Sequence, residues 1–460
     1  MLNTDGIIVL IYLALVLAIG LLASRGIRNL SHFSVAGRSF SSVVVFATLS
    51  ASFIGGGFTM GNAEKVFTWG IVNIFALWGF SLKEILVATL IAPRMDSFSQ
   101  AIFVGDIMEF AYGKTAKLVT GCFAVLLCAG IVGAQVGATG YIFELFLGIP
   151  RFWGIFLGFG IVVLYSTVGG MRAVVFTDLL QFAILAVGIP LTLIFGVSRA
   201  GGLDAIQAAI PAGHLSFLGS KGALAFVSLF LTFVLGETLV PPYVQRLLIG
   251  KSAGHTARGT LYSGLFSIPF FAVTGGIGLV ALTLKPGLDP NLALPYVIQH
   301  VLPMGLKGLV VAGIIAVVMS SADSFLNGAA VAFSNDVVQP LRKKPLSDRK
   351  VLLLAKFTTL MVGALAIIFA LKIKSILDIL IYAYHFWAPV IVIPLAAAFF
   401  GIRADTRIFL SGCCAGLAAM VIWNYFLNAP GGVEGLIVGV LANGLVFAVG
   451  LHWNRSGTSL

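Results

Sequence analysis

Long apolar stretches, separated by short polar segments, run along the whole chain. Because a membrane-spanning helix needs about 20 apolar residues, this pattern predicts an all-α integral membrane protein with about 13 transmembrane helices. The stretches are continuous rather than alternating, which argues against a transmembrane β-barrel. The predicted spans cover residues 6–24, 43–61, 71–92, 117–146, 152–168, 173–197, 222–241, 262–284, 306–334, 351–371, 375–400, 408–428 and 433–452.

The composition agrees with this prediction. The 460-residue chain is 59% hydrophobic and only 10% charged, whereas soluble domains carry about 25% charged residues. So few charges cannot cover a water-soluble surface, and this excludes a soluble nucleic-acid binder despite the net charge of +11. The first span has no basic start and no small-residue cleavage site after it, so we expect a retained helix rather than a signal peptide.

The distribution of positive charge predicts the orientation. Placing the N-terminus outside puts 18 Lys and Arg residues in cytoplasmic segments, Arg246 among them, and 8 in outer segments. Positive residues concentrate on the cytoplasmic side, so we expect an N-out, C-in topology. Lys83 and Glu84 lie nearer the end of their span, where we expect them to reach the interface or to form an ion pair.

Two predicted spans contain residues that disfavour a continuous helix. Three glycines, Gly55–Gly57, follow Ile54 in the second span, and Pro241 and Pro242 follow Glu237 in the seventh. Glycine destabilises a helix by about 1 kcal/mol relative to alanine, and proline removes a backbone donor. Close helix packing or a simple helix end would also account for these residues. Interruptions five helices apart, however, are what an inverted five-plus-five repeat with a midplane site predicts.

Ionisable residues inside a span are costly, and they are candidates for function. Asp178 lies in the sixth span, Glu237 at the interruption of the seventh, and Asp323 in the ninth. The ninth span places four oxygen-bearing side chains within about one turn, those of Ser320, Ser321, Asp323 and Ser324. Oxygen ligands suit a hard cation. A proton on Asp323 or Glu237 is the alternative, and serines can also simply bond to their own helix backbone.

Three segments resemble signature motifs of the sodium:solute symporter family: Tyr165–Gln181, Tyr243–Arg246 and Ala316–Asn327. They occur in the family's order and spacing, and the resemblance runs from Phe33 to about residue 400. It implies one transporter domain with a leucine-transporter-like fold. The implied parts are an extra N-terminal helix (6–24), two inverted five-helix repeats (43–197 and 222–400) and two C-terminal helices (408–452).

The resemblance also implies cation sites. The family's common sodium site falls on backbone carbonyls and hydroxyls, namely those of Ala51, Ile54, Val317, Ser320 and Ser321. Some members have a second sodium site, which falls on Asp178, Ser320, Asp323 and Ser324. Asp323 stands where some members have serine, so this second site is either more strongly cation-binding or partly protonated.

For the substrate, the motifs look most like the choline-transporter branch, which has tryptophans at the positions of Phe53, Cys128 and Val240. Only Phe53 is aromatic here, so the cage that a quaternary ammonium needs is mostly absent. Phe53, Gln135 and Glu237 are the candidate substrate contacts.

The sequence thus predicts a multi-pass cell-membrane protein, expected in a bacterial inner membrane, that imports a small organic solute with sodium. The alternatives are a proton-coupled symporter on the same fold and a transporter-like membrane sensor, although we expect no signalling module after Leu460. Neither an HExxH motif nor a nucleophile elbow occurs, so an enzyme is not expected. Beyond the solute and the lipid bilayer, no nucleic acid and no obligatory protein partner is expected.

Overall fold

The computed structural model describes residues 4–25, 27–54, 56–219, 222–372, 385 and 387–457, and these are mostly helical. A π-helical turn and a 3₁₀ segment extend the helix Val72–Leu86 to Phe98, and a π-helical turn extends the helix Leu306–Val331 to Val338. The α-helices are α1 (Thr4–Ala23), α2 (Leu30–Val35), α3 (Ser42–Phe53), α4 (Gly56–Trp69), α5 (Val72–Leu86), α6 (Val104–Tyr112), α7 (Lys114–Leu147), α8 (Arg151–Arg199), α9 (Leu203–Ala209), α10 (Gly222–Leu235), α11 (Pro241–Leu247), α12 (Ala253–Leu284), α13 (Ala293–Val301), α14 (Leu306–Val331), α15 (Gln339–Leu341), α16 (Asp348–Lys372), α17 (Ile393–Phe399), α18 (Thr406–Val421) and α19 (Gly435–Gly457).

Among the described residues, nine helices are long and apolar enough to cross a membrane, and the bent pair α3–α4 makes a tenth. The predicted spans 152–168 and 173–197 lie on either side of Gly170 in α8, and Gly170 has non-helical backbone angles (φ +47°, ψ −148°), so α8 is two helices joined at a kink. The predicted span 222–241 corresponds to a shorter apolar helix, since α10 ends at Leu235. Of the predicted span 375–400, the structure describes the apolar helix Ala388–Phe399, and residues 373–384 lie outside the described part. The boundaries of the two repeats remain predictions.

The first interruption lies between α3 and α4. The axes of Ser42–Phe53 and Phe58–Trp69 differ by 51°. Gly55 lies outside the described residues, whereas Gly56 and Gly57 belong to α4. The helix is therefore broken where the glycines predict.

The second interruption separates α10 from α11, as the paired prolines predict. Residues 236–240 are not helical, and Leu239 has a φ of +55°, which is rare for a residue other than glycine. Pro241 and Pro242 then occupy the first turn of α11, where a missing backbone donor costs no hydrogen bond. The prolines start a second helix here rather than simply ending the first.

The helix α14 lies at the centre of the bundle. In its most apolar 18-residue window 94% of the residues are buried, against 33% for α1, which faces outward. It packs against α1, α3, α7, α8 and α16. Its serines and Asp323 are therefore enclosed by protein on all sides and not exposed to lipid.

Candidate functional site

A buried ion pair joins three helices at the middle of the bundle. Nη2 of Arg246, on α11, lies 3.0 Å from Oδ2 of Asp178, on α8, and neither side chain has any exposed surface. Nε of Arg246 donates to the hydroxyl of Thr48 on α3, at 3.0 Å. Burial of a charge is costly unless it is paired, so this contact fixes the position of α11 relative to α8.

Two serine hydroxyls accept hydrogen bonds from the same guanidinium, and a third serine bonds to its partner Asp178. Nη2 of Arg246 donates to Ser52 Oγ at 2.6 Å and to Ser324 Oγ at 2.5 Å. Ser320 Oγ donates to Asp178 Oδ1 at 2.5 Å and lies 2.9 Å from Ser52 Oγ. Three of the four residues of the predicted second cation site are thus brought together, but around a positively charged side chain.

The fourth residue, Asp323, is fully buried beside this cluster. The Tyr165 hydroxyl donates to Asp323 Oδ2 at 2.5 Å, and Ser324 Oγ donates to Oδ1 at 3.1 Å. Among the described residues, Arg246 forms an ion pair with Asp178, and Asp323 has no basic residue within ion-pair distance. The cluster therefore holds two carboxyl groups and one guanidinium.

The prediction that Arg246 belongs to a cytoplasmic loop is wrong. It lies in the first helix after the second interruption, and Asp178 compensates its charge. The sequence around Arg246 gives no sign of its burial, because the residue lies outside an apolar run. The signal that could have found it was the need of a buried Asp178 for a partner of opposite charge.

A second polar contact secures α11 next to the ion pair. Nε2 of Gln245 donates to the Ser34 carbonyl at 2.6 Å and to Asn327 Oδ1 at 2.9 Å. These contacts connect α11 to α2 and to α14. Five residues join the site beyond the predicted ones: Tyr165, Gln245 and Arg246 lie in the motifs quoted above, whereas Thr48 and Ser52 lie in none of them.

The residues of the predicted sodium site come from the end of α3 and the middle of α14. Ser321 Oγ donates to the Ser52 carbonyl at 2.9 Å, which ties the two helices together. The carbonyl of Ile54 accepts a hydrogen bond from Thr59 Oγ1 at 2.9 Å. Helix α3 ends at Phe53, so its last carbonyls lie at an open helix end, where extra partners are needed. The remaining members, Ala51, Val317 and Ser320, are all buried.

The three predicted substrate residues belong to separate elements. Phe53 is buried, with its ring 5.3 Å from that of Tyr243 and 5.4 Å from the Arg246 guanidinium. Gln135 is buried on α7. Glu237 lies half-buried in the turn between α10 and α11.

Lys83 and Glu84 form a second buried ion pair, with 2.7 Å between Nζ and Oε1 and exposed side-chain fractions of 1% and 0%. Of the two alternatives from the sequence, ion pairing is confirmed, and an extension to the interface is wrong. Helix α12 encloses the pair, since a Cβ at Gly264 would lie 2.9 Å from Glu84 Cβ.

The sequence matches the sodium:solute symporter family over residues 33–416. The chain belongs to this family. A relative in Drosophila melanogaster, the high-affinity choline transporter 1, is 27% identical over 412 residues, which cover 82% of this chain and 64% of the relative. The osmoregulated proline transporter OpuE of Bacillus subtilis (strain 168) is 22% identical over 459 residues, which cover 94% and 93% of the two chains.

Among solved structures, a Na⁺-coupled sialic acid symporter in an outward-open state superimposes with a TM-score of 0.83 at 20% identity, covering 97% of this chain and 98% of its own. The predicted leucine-transporter-like fold is confirmed by this match. Membership of the family shows a multi-span membrane transporter, not an enzyme, and supports sodium-coupled symport of a small solute.

Proposed function

We propose that this protein imports a small organic solute together with sodium by alternating access, and that the sodium ion binds between the open end of α3 and the middle of α14. The proposed ligands are the carbonyl oxygens of Ala51, Ile54 and Val317 and the hydroxyls of Ser320 and Ser321. The hydrogen bond from Ser321 Oγ to the Ser52 carbonyl supports this most directly, because it holds a hydroxyl of α14 against the end of a broken helix.

A sodium ion at this place would hold the broken helix α3–α4 against α14. It would favour the state that accepts the solute from outside, and the coupling is reciprocal: sodium raises solute affinity by the factor by which solute raises sodium affinity. Each charge that moves inward contributes about 2.3 kcal/mol per 100 mV of membrane potential.

A second cation at Asp178, Ser320, Asp323 and Ser324 is linked to Arg246 in this proposal. The guanidinium already bonds to Asp178 Oδ2 and to the Ser324 hydroxyl. A second sodium ion would therefore bind only if Arg246 gives up one or both of these contacts, which would loosen α11. Cation binding at this position would be coupled to movement of the second broken helix.

Coupling to protons instead of sodium is the second candidate, and one observation favours it. Asp323 is buried with a tyrosine and a serine hydroxyl as its donors, while Arg246 is paired with Asp178. A carboxyl group in this situation can bind a proton in place of a metal ion. Uptake in sodium-free buffer driven by a pH gradient separates the two: full activity there would refute sodium coupling.

The solute is proposed only as a small organic molecule, with Phe53, Gln135 and Glu237 as its contacts. The relatives named above are called choline and proline transporters, and solutes so different leave the specificity open. We propose to identify the solute by thermal-shift screening of purified protein with amines, amino acids, sugars and carboxylates, each with and without sodium. Sodium-dependent stabilisation by one class is the expected result.

Uptake of the solute found in this way tests the sodium site. We expect Ser321→Ala to raise the sodium concentration for half-maximal uptake about tenfold, which corresponds to about 1.4 kcal/mol of lost binding. Ser411→Ala is a matched control, because Ser411 is an exposed helix serine whose hydroxyl donates to the Ile408 carbonyl of its own helix. Unchanged sodium activation in Ser321→Ala at a normal protein level would remove the site assignment.

A further inference from the structure

The buried pair Lys83–Glu84 adds a second positive charge close to the interrupted helices. The Lys83 ammonium lies 3.9 Å from the centre of the Phe80 ring and 4.3 Å from the centre of the Tyr243 ring. Glu84 Oε1 accepts a hydrogen bond from it at 2.7 Å. Two aromatic faces and one carboxylate around a cation are the components of an ammonium-binding site, and we name these three residues, Phe80, Glu84 and Tyr243, the aromatic box.

The aromatic box adjoins the proposed substrate region. The Tyr243 ring lies 5.3 Å from the ring of Phe53, the candidate substrate contact at the end of α3. On its other side, the Phe53 ring centre lies 5.4 Å from the Arg246 guanidinium. The ring pair Phe53–Tyr243 therefore lies between two cations that belong to the chain itself.

We propose that Lys83 is a specificity-determining residue: its ammonium acts as the aromatic box's permanent ligand and excludes quaternary ammonium and other organic cations from the transported solutes. This inference rests on the proposed function, because it concerns which solute is carried. The protein would accordingly take solutes that are uncharged or bear a carboxylate.

The physical basis is competition for the same faces and the same carboxylate. An aromatic face attracts a cation through its negative quadrupole, and this attraction is stronger where water is excluded. Both faces and Glu84 Oε1 are already used by Lys83. An organic cation could bind here only by displacing a tethered ammonium that cannot diffuse away.

Removal of the Lys83 ammonium tests the proposal directly. We expect purified Lys83→Ala to be stabilised by tetramethylammonium or choline, with a saturable rise in Tm of at least about 2 °C over an equal concentration of KCl. The wild-type protein should show no such rise. Lys83→Met fills most of the same space without a charge, so it should show no rise either.

A matched control comes from a similar pair at a more exposed position. Lys65 pairs with Glu64 at 2.9 Å and lies 4.9 Å from the Trp69 ring, but its side chain is 32% exposed. Because water can hydrate Glu64 there, Lys65→Ala should gain no stabilisation from tetramethylammonium. If Lys83→Ala fails to fold, its yield should be restored when choline is present during expression and purification.

Two results would overturn the proposal: stabilisation of the wild type by choline, or a Lys83→Ala protein that neither ion stabilises or rescues. The assay measures binding without any transport, so it is independent of whether sodium drives uptake. Loss of sodium coupling would refute the proposed function while leaving this result intact.

Discussion

Arg246 is the residue on which most of the central contacts converge. It reaches Thr48 and Ser52 on α3, Asp178 on α8 and Ser324 on α14. The sequence identifies the buried carboxylates, because acidic residues in apolar runs are conspicuous, and it implies that Asp178 needs a positively charged partner. It does not identify Arg246 as that partner, because Arg246 lies outside such a run and only the tertiary fold brings it to the middle of the bundle.

The ion pair predicts a strongly non-additive pair of substitutions. Removing one partner of a buried pair costs about 3–5 kcal/mol, because the other charge is left uncompensated. We expect Arg246→Gln to lower the Tm strongly, and the double variant Arg246→Gln, Asp178→Asn to recover part of that loss. Thermal unfolding of the purified variants measures both effects.

The control for this cycle is the more exposed pair Lys65–Glu64, where Lys65→Gln should cost no more than about 1 kcal/mol. Purely additive losses in the Arg246 and Asp178 cycle would contradict the assignment of these two residues as a compensating pair.

At the scale of helices, the sequence predicts the positions of the helix breaks better than the backbone geometry at each break. Glycines and prolines mark both broken helices, since they have clear backbone preferences. The pattern also predicts two separate spans, 152–168 and 173–197, and the structure agrees: Gly170 between them has non-helical backbone angles, so α8 consists of two helices joined at a kink. The close contact between Gly170 and Phe33 was not predictable, because it joins distant parts of the chain.

Gly170 predicts a measurable effect on the element that carries Asp178. Its φ is +47°, and a Cβ there would lie 2.5 Å from both Cδ2 and the carbonyl oxygen of Phe33. With a ψ of −148°, this backbone conformation is essentially restricted to glycine; it costs another residue about 1–3 kcal/mol, and the clash adds to this. We therefore expect Gly170→Ala to lower the Tm and the sodium-dependent uptake together.

Gly160 in the same helix is the matched control, because nothing lies within 4 Å of the Cβ that Gly160→Ala would add. Equal Tm values for Gly170→Ala and Gly160→Ala would show that the kink does not require a glycine.

At the scale of the whole molecule, hydropathy was sufficient for the class of protein, and the motifs were sufficient for the family and the fold. The length of the apolar stretches and the scarcity of charge are properties of the entire chain, so a single sequence is enough to recognise a membrane protein. The locations of Lys83 and Arg246 were not accessible in the same way, because both depend on which helices pack together. The N-out orientation and the two repeats remain predictions from charge and from the resemblance.

The central claim is that sodium binds between α3 and α14, and equilibrium binding of radioactive ²²Na⁺ to the purified protein tests it without knowledge of the solute. We predict saturable binding that excess unlabelled sodium displaces and potassium does not. Ser321→Ala should weaken this binding about tenfold, a change of about 1.4 kcal/mol, whereas Ser411→Ala should leave it unchanged. Sodium binding of equal strength in Ser321→Ala and the wild type, or none in the folded wild type, would contradict the account.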